Sequence, residues 1–327
     1  MKKSRGEWLL FLLLLVLPLG AQERIRCVAY NVENLFDCVD DPLTDDDTFL
    51  PGSPRHWTPS RYWNKLHAIG RALTAVGEDR APDLVALCEV ENDSVLYDLV
   101  HRSSLRSVKY EYLVTSSADP RGIDVALLYK PSTFRPFACR SLRLPAESTS
   151  GRPVRDVLCV SGELVSADTL DLLVCHLPSR LNGRRAAVLR RTVVQLVCHA
   201  VDSLAACRAV PHIVVLGDFN DTPHSKSLSP LTAGNRLLPV TYTLPGSYRY
   251  KGRWEQIDHA FLSPSLYDMS NNLHLSPRGA WMAQPDFLTE PDPLYGGIRP
   301  RRTYNGMRYE GGTSDHLPLC FDLEFSW

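Results

Sequence analysis

The amino-acid sequence predicts an α/β layered fold, and three observations lead there. Short apolar runs rich in β-branched residues recur along the chain. Two longer segments between them carry apolar residues at i, i+3, i+4 spacing. No Gly-, Ser- or Pro-rich linker divides the 327 residues, and no internal repeat is present. A hydrophobic content of 44% supports a sizeable core. The net charge of -1 provides no global basic field, so any polyanion must be held by local patches.

Taken in order, the chain opens on "MKKSRGEWLLFLLLLVLPLGAQ". Lys2, Lys3 and Arg5 precede an apolar run from Trp8 to Leu17, followed by Pro18, Gly20 and Ala21. This is the order of a secretory signal peptide, expected to occupy 1–21 and to be cut near Ala21. The run is shorter than the roughly 20 residues a spanning helix needs. No cysteine follows it to carry a lipid, and no later segment reads as transmembrane. The expectation is an exported domain over 22–327, periplasmic or secreted, without stable membrane insertion. Its nine cysteines lack a C-x-x-C pair. Cys27, Cys88, Cys159, Cys175 and Cys320 sit inside apolar runs as small core residues do, which leaves room for one or two bridges at most.

Strands are predicted at 25–32, 83–90, 123–130, 157–165, 170–177, 212–219, 256–263 and 318–325. Several are apolar on both parities, as in sheets covered on both faces. The first helix is predicted within 58–77, with Trp63, Leu66, Ile69, Leu73 and Val76 on its stripe. Thr58 is its expected cap, Pro59 suits its first turn and Gly77 its end. The second runs through 183–207, with Leu189, Val193, Leu196, Val197, Ala200 and Leu204 on one face. Residues 277–313 read as a loop-like excursion.

The polar residues fall at strand ends. "VVLGDFND" closes an apolar run with Asp218 and Asn220, whose i, i+2 spacing points both side chains the same way on extended backbone. "YNVEN" offers Asn31, "LCEVEN" Glu89, and "CHLPSR" His176 with Arg180 beyond it. "QIDHAFLS" embeds Asp258, and "SDHLPL" places Asp315 and His316 before the last strand. A single polar residue at a strand end is ordinarily a turn residue. Six such ends together are a pattern. Carboxylates, amides and histidines without paired cysteines suit a hard, oxygen-liganded cation such as Mg²⁺ better than zinc.

These ordered motifs, from about Ile25 to the C-terminus, resemble the endonuclease/exonuclease/phosphatase superfamily of metal-dependent phosphoesterases. "GDFND" and "SDHLPL" are the most specific of them. The resemblance implies two β-sheets packed face to face and flanked by helices, a four-layer, DNase-I-like sandwich. It implies Glu89 as the principal ligand of Mg²⁺ (or Mn²⁺), aided by Asn31 and Asp315. It implies His316 as the histidine that takes a proton from water, oriented by Asp258. Asp218 and Asn220 then position nucleophile and phosphate, and His176 donates to a phosphate oxygen. Whether His316 or Asp218 is the base stays open. Asp124 departs from the family pattern and either faces the site beside Arg121 or ends a turn, the turn being favoured; Cys175 departs from the usual Asn-His pair.

The chemistry asks for the same groups. A phosphodiester is anionic, so hydrolysis needs a cation on an oxygen, donors where charge grows and a base near neutrality. Arginines cluster at 180–191 and 299–302, and Arg180, Arg301 and Arg302 are the candidates for holding substrate. The expectation is an exported phosphodiesterase cleaving DNA or RNA. Two alternatives stand beside it: an enzyme for a small or lipid phosphoester such as an inositol phosphate or a phospholipid or sphingolipid head group, and a catalytically silent binding module. No protein partner is implied.

Overall fold

Alternating burial along the strands builds two sheets and one shared interior. The computed structural model describes residues 23–242 and 245–325, so the expected signal peptide at 1–21 lies outside the described residues. Twelve strands form the two sheets: β1 Glu23–Leu35, β2 Leu84–Val90, β3 Glu111–Val114, β4 Asp124–Tyr129, β5 Phe134–Leu142, β6 Val157–Leu164, β7 Thr169–His176, β8 His212–Asp218, β9 Leu238–Pro239, β10 Asp258–Leu262, β11 His274–Met282 and β12 Leu319–Phe325. The first sheet has the order β11-β12-β1-β2-β4-β3 and the second β5-β6-β7-β8-β10-β9. Between them pack Leu158, Val160, Leu172, Val174, Val214, Leu216, Ala260 and Leu262 of the second sheet. Their neighbours of opposite parity, Cys159, Leu173, Cys175, Ile213, Val215 and Phe261, face outward against a helix. This is the expected face-to-face, helix-flanked sandwich.

The helices are α1 Pro59–Val76 and α2 Gly183–Cys207. Leu66, Ile69, Leu73 and Val76 of α1 enter the core as the stripe requires, although Trp63 is only half-buried. Thr58 sits at the cap position, but its side chain makes no capping bond. Gly77 ends the helix with right-handed backbone (φ -71°). A glycine is needed there because a Cβ would lie 2.1 Å from the Arg80 carbonyl oxygen. On α2 the buried stripe is turned from the predicted one, toward Ala186, Arg190, Val194, Cys198 and Val201 beside Val193 and Val197.

All eight predicted strands are present. Four others escape the sequence pattern. β5 is an edge strand with mostly exposed side chains, and β11 carries Pro277 and Gly279 within a register shift against β12. Residues 277–282 of the expected loop therefore belong to β11. All nine cysteines are free.

Two parallel pairings aim the sandwich at one edge. β1 runs parallel to β2 with Asn31 opposite Cys88, and β7 runs parallel to β8 with His176 opposite Asp218. β1 also pairs antiparallel with β12, placing Arg26 opposite Asp322. The Arg26 side chain is buried and donates twice to Asp322, at 2.8 and 2.9 Å, and to the carbonyls of Val76 and Gly77 at the end of α1. One guanidinium thus joins both central strands to the helix. Replacing Asp322 by Ala would leave that charge buried without its bidentate carboxylate. We expect a loss of about 3–5 kcal/mol of stability, read as a lowered urea midpoint at unchanged m-value. A midpoint equal to wild type would show that Glu78 and the two carbonyls suffice.

Candidate active site

The carboxyl ends of β1, β2, β7 and β8 meet at one edge of the sandwich and floor a cleft of about 930 Å³. Two of these strands leave regular geometry there. The β1–β2 ladder shifts register between Asn31 and Leu35, and β2–β4 between Cys88 and Val90. Glu33, Asn34 and Glu89 have φ of 53°, 54° and 64°, and Asn220 has 50°. Left-handed backbone is tolerated by Asn but unfavourable for Glu, at about 1–3 kcal/mol each. The bulges break side-chain alternation, and Asn31, Glu33, Asn34 and Glu89 all line the cleft as a result. Local hydrogen bonds offset the strain: Glu33 N donates to Asn31 Oδ1, and Asn34 N to Glu89 Oε2, each at 2.9 Å.

In the second sheet, Gly217 makes the geometry possible. Its φ is 133°, and a Cβ would lie 2.0 Å from the Cys175 carbonyl oxygen. β8 therefore approaches β7 closely just where His176 and Asp218 stand side by side. Asp218 is saturated with donors: Asn31 Nδ2 at 3.0 Å, Asn220 N at 2.8 Å and Asn220 Nδ2 at 3.3 Å. Asp258 is its cross-strand neighbour from β10. The Asp258 Oδ2 meets His316 Nδ1 at 2.6 Å, and the Asp258 Oδ1 is buried without a partner. The Nε2 of His316 then lies 4.0 Å from Asp218 Oδ2 and 3.9 Å from Asp315 Oδ1.

Their surroundings shift the two histidines in opposite directions. Burial, with Arg155 and Arg121 adding to it, keeps His176 well below its ordinary pKa. Its Nε2 lies 3.5 Å from Asp218 Oδ2 and 3.9 Å from Glu89 Oε1. Burial also works to lower His316, but Asp258, Asp218 and Asp315 outweigh it and hold His316 well above its ordinary value. Asp218 is pushed up to about 7 by burial and then by Asp258. Glu33 is pushed up to about 7 by burial and then by Asp315. Carboxylates crowd one another at this end of the cleft.

Crowded oxygen donors of this kind suit a divalent cation. Asn31, Glu89 and Asp315 all line the cleft, and among the described residues nothing donates to Glu89 Oε1. Asp218, Asp258 and His316 are close enough to share one ion. We read that trio differently, because His316 and Asp258 are already bonded to each other, as in a proton relay.

The substrate-holding arginines arrive already engaged. Arg180 pairs with Glu255, and Arg302 pairs with Asp315 while lying 3.8 Å from Glu33. Arg301 is exposed and is not among the residues lining the cleft. Arg190, from the basic run of α2, is buried: it donates to Asp221 and to the Pro178 carbonyl, fixing the loop after β7. Asp124 is not a turn residue: it is the buried first residue of β4, accepts from Thr115 and Ser117, and is not among the residues lining the cleft. Cys175 packs against the α2 side, away from His176.

Several site residues escaped the sequence reading. Glu33 accepts from Thr303 N at 2.7 Å, and its i, i+2 relation to Asn31 repeats that of Asp218 and Asn220. Lys65 is 2% exposed within the apolar stripe of α1. Its ammonium donates to the Glu33 carbonyl at 2.9 Å, to Thr303 and to the Thr313 carbonyl. It thereby ties both metal-side loops to one helix. Ser314 donates to the Asn31 carbonyl at 2.6 Å and receives the His316 N–H. Arg155 clamps the carbonyls of His176 and Leu177.

Comparison with known proteins follows this geometry. A model described as "Endonuclease/Exonuclease/phosphatase family" matches residues 27–325. No curated protein matches the sequence. Among solved structures, the chain is similar to a protein of that family from Bacteroides thetaiotaomicron, at 16% identity and a TM-score of 0.58, covering 94% of this chain and 99% of that one. It is similar to the human Nocturnin catalytic domain with bound sulfate, at 14% and 0.58, covering 93% and 97%. A mannosyl-6-phosphatase of Bacteroides thetaiotaomicron gives 16% and 0.58, covering 92% and 100%. At these identities the likeness is one of fold.

Gly217 provides the test of the site's construction. Gly217→Ala puts a methyl group into the Cys175 carbonyl, so β7 and β8 must part where His176 and Asp218 stand. We expect a Tm lowered by several degrees, at about 2–4 °C per kcal/mol for a domain of this order of size, and a further loss of turnover in the fraction that stays folded. Unchanged Tm and turnover would mean that the strands separate without cost.

Proposed function

This chain belongs to the endonuclease/exonuclease/phosphatase family of metal-dependent phosphoester hydrolases, and we propose that it is a Mg²⁺-dependent phosphodiesterase acting on nucleic acid. The observation that carries the catalytic reading is the 2.6 Å contact between His316 Nδ1 and Asp258 Oδ2. It fixes the imidazole and leaves Nε2 as the atom that meets the cleft. Asp218 already accepts three hydrogen bonds from Asn31 and Asn220, so His316, in its neutral form, is the better placed of the two to take a proton.

The remaining roles follow from position. Glu89, with Asn31 and Asp315, would hold the cation; Mg²⁺ or Mn²⁺ suits these oxygen donors. When bound, such an ion supplies positive charge to a phosphate oxygen. It also offsets one of the carboxylates that keep a proton on His316. Asp218 holds Asn220 against the reacting phosphate. The neutral His176 donates through Nε2 to a phosphate oxygen without adding a buried charge. General base help of this kind contributes about 10²–10⁴ in rate.

The nucleic-acid reading rests on the cleft walls. Tyr248, Tyr250 and Tyr304 line the cleft, as do Arg121, Arg152 and Arg155. Tyr250 is 51% exposed, open to a stacking base, and such stacking contributes about 1–3 kcal/mol per base. A second reading, a small sugar or lipid phosphoester, is favoured by a different observation: Arg180 and Arg302 are paired with acids, so no continuous basic track crosses the cleft. We place the enzyme outside the cytoplasm on the strength of residues 1–21.

The test is a substrate panel with Mg²⁺, Mn²⁺ and EDTA: single-stranded DNA, RNA and supercoiled plasmid beside inositol phosphates, a sugar phosphate and a phospholipid head group. We expect EDTA to abolish polymer cleavage and Mg²⁺ or Mn²⁺ to restore it. Intact polymers with a small phosphoester consumed would replace the nuclease reading by the second one. Asp258→Asn should lower kcat by about 10²–10⁴-fold with KM little changed, since Asp258 touches the base and not the substrate. A drop in kcat below threefold would remove His316 from the base role. Glu89→Ala should abolish turnover in a folded protein.

A further inference from the structure

Away from the catalytic cleft, the segment after β1 carries six aspartates between 37 and 47: Asp37, Asp40, Asp41, Asp45, Asp46 and Asp47. Carboxylate oxygens of Asp40, Asp46 and Asp47 lie within 4.8 Å of one another. Clustered acids on a surface loop are common, and alone they mean little. Two further observations separate this group from a solvated acidic surface.

The first is an orphaned oxygen. Asp46 is only 1% exposed; its Oδ2 accepts from Asp41 N at 3.1 Å, but its Oδ1 is buried with no donor. A buried carboxylate oxygen without a partner is costly. The second is missing positive charge. Elsewhere four buried aspartates are paired with arginine: Asp322 with Arg26, Asp171 with Arg208, Asp156 with Arg143, Asp119 with Arg155. Among the described residues no lysine, arginine or histidine pairs with any of the six aspartates, nor with Glu91, which packs beneath them and accepts from Asp37 N at 2.7 Å. Burial, with Asp37, Asp46 and Asp41 adding to it, pushes Glu91 up to about 8.

We infer that Asp40, Asp46 and Asp47 form a second cation site, separate from the catalytic one, that takes a divalent ion of the calcium class. The donors are carboxylate oxygens on a loop, which favours the larger ion with irregular coordination over the strict octahedron of Mg²⁺. Its role is structural. Asp45 N donates to the Pro120 carbonyl at 2.7 Å, and Thr44 packs on Gly122, where a Cβ would lie 2.9 Å away. Between those residues stands Arg121, bonded to Asn34 and 3.8 Å from Glu89 Oε2. The ion would stiffen the loop that supports this wall of the cleft.

The experiment uses the full chain, stripped with chelator and dialysed. Added Ca²⁺ at a large excess over its Kd should raise Tm by about 2–6 °C, in wild type and in Glu89→Gln alike. Tb³⁺ should give luminescence sensitised by Trp57, whose ring lies 6.1 Å from that of Phe49 at the end of this segment. Asp46→Asn should lose the Ca²⁺-dependent rise and weaken the Tb³⁺ titration at least tenfold, while keeping Mg²⁺-dependent turnover. If Asp46→Asn does not fold, Asp40→Asn, at an exposed position, is expected to give the same losses. A wild-type Tm indifferent to Ca²⁺ overturns the inference. So does a rise that survives Asp46→Asn and disappears in Glu89→Gln, because the ion would then sit in the catalytic cleft.

Discussion

Every carboxylate gathered at the mouth of an apolar sandwich must be answered by a donor or a cation, and most of this structure follows from that constraint. The strand ends converge where water is scarce, so each acid carries a desolvation cost. Asp258 is answered by His316, Asp218 by Asn31 and Asn220, Asp315 by Arg302, and the main chain around Glu33 by Lys65. These pairings link β1, β8, β10, α1 and the loop before β12. Each residue is held by partners from other elements, and none could be oriented by its own strand alone.

Eight of the strands and the polar residues at their ends were legible in the sequence because both are local properties. Runs such as 212–218 are apolar on both parities and end abruptly in Gly217 and Asp218. β5 was not legible because an edge strand with Arg135, Phe137 and Arg140 exposed carries no alternation toward a core. β11 was hidden by Pro277 and Gly279, which a bulged edge strand accommodates. The α2 stripe was misplaced because Arg190 counts as polar by composition yet is buried by its bonds to Asp221 and Pro178. Lys65 was hidden for the same reason. A buried cation is recognisable only once the oxygens it binds, from Glu33 in β1 and from Thr303 and Thr313 far along the chain, are in place.

The bulges at Glu33, Asn34 and Glu89 show where regularity gives way to chemistry. A regular β1 would place Asn31 and Glu33 on one face and Asn34 on the other, and β2 would turn Glu89 away from its neighbours. Left-handed backbone at both sites brings four side chains into one cleft. The cost falls on residues whose side chains and amides bond one another, so the strain and the bonds that tolerate it are confined to the same few residues.

The pairing of β1 with β12 also has a bearing on how the chain reaches its working form. The two strands lie side by side at the centre of the first sheet, nearly 300 residues apart in sequence, with Glu23 opposite Phe325. His316 immediately precedes the later of them. During synthesis the nascent chain can collapse around β5 to β8 and α2, whose contacts are closer in sequence, but the first sheet stays split until its last strand emerges. Such distant pairings close slowly. The cleft is therefore incomplete in a nascent chain: the step that completes the sheet is also the one that brings His316 to Asp258.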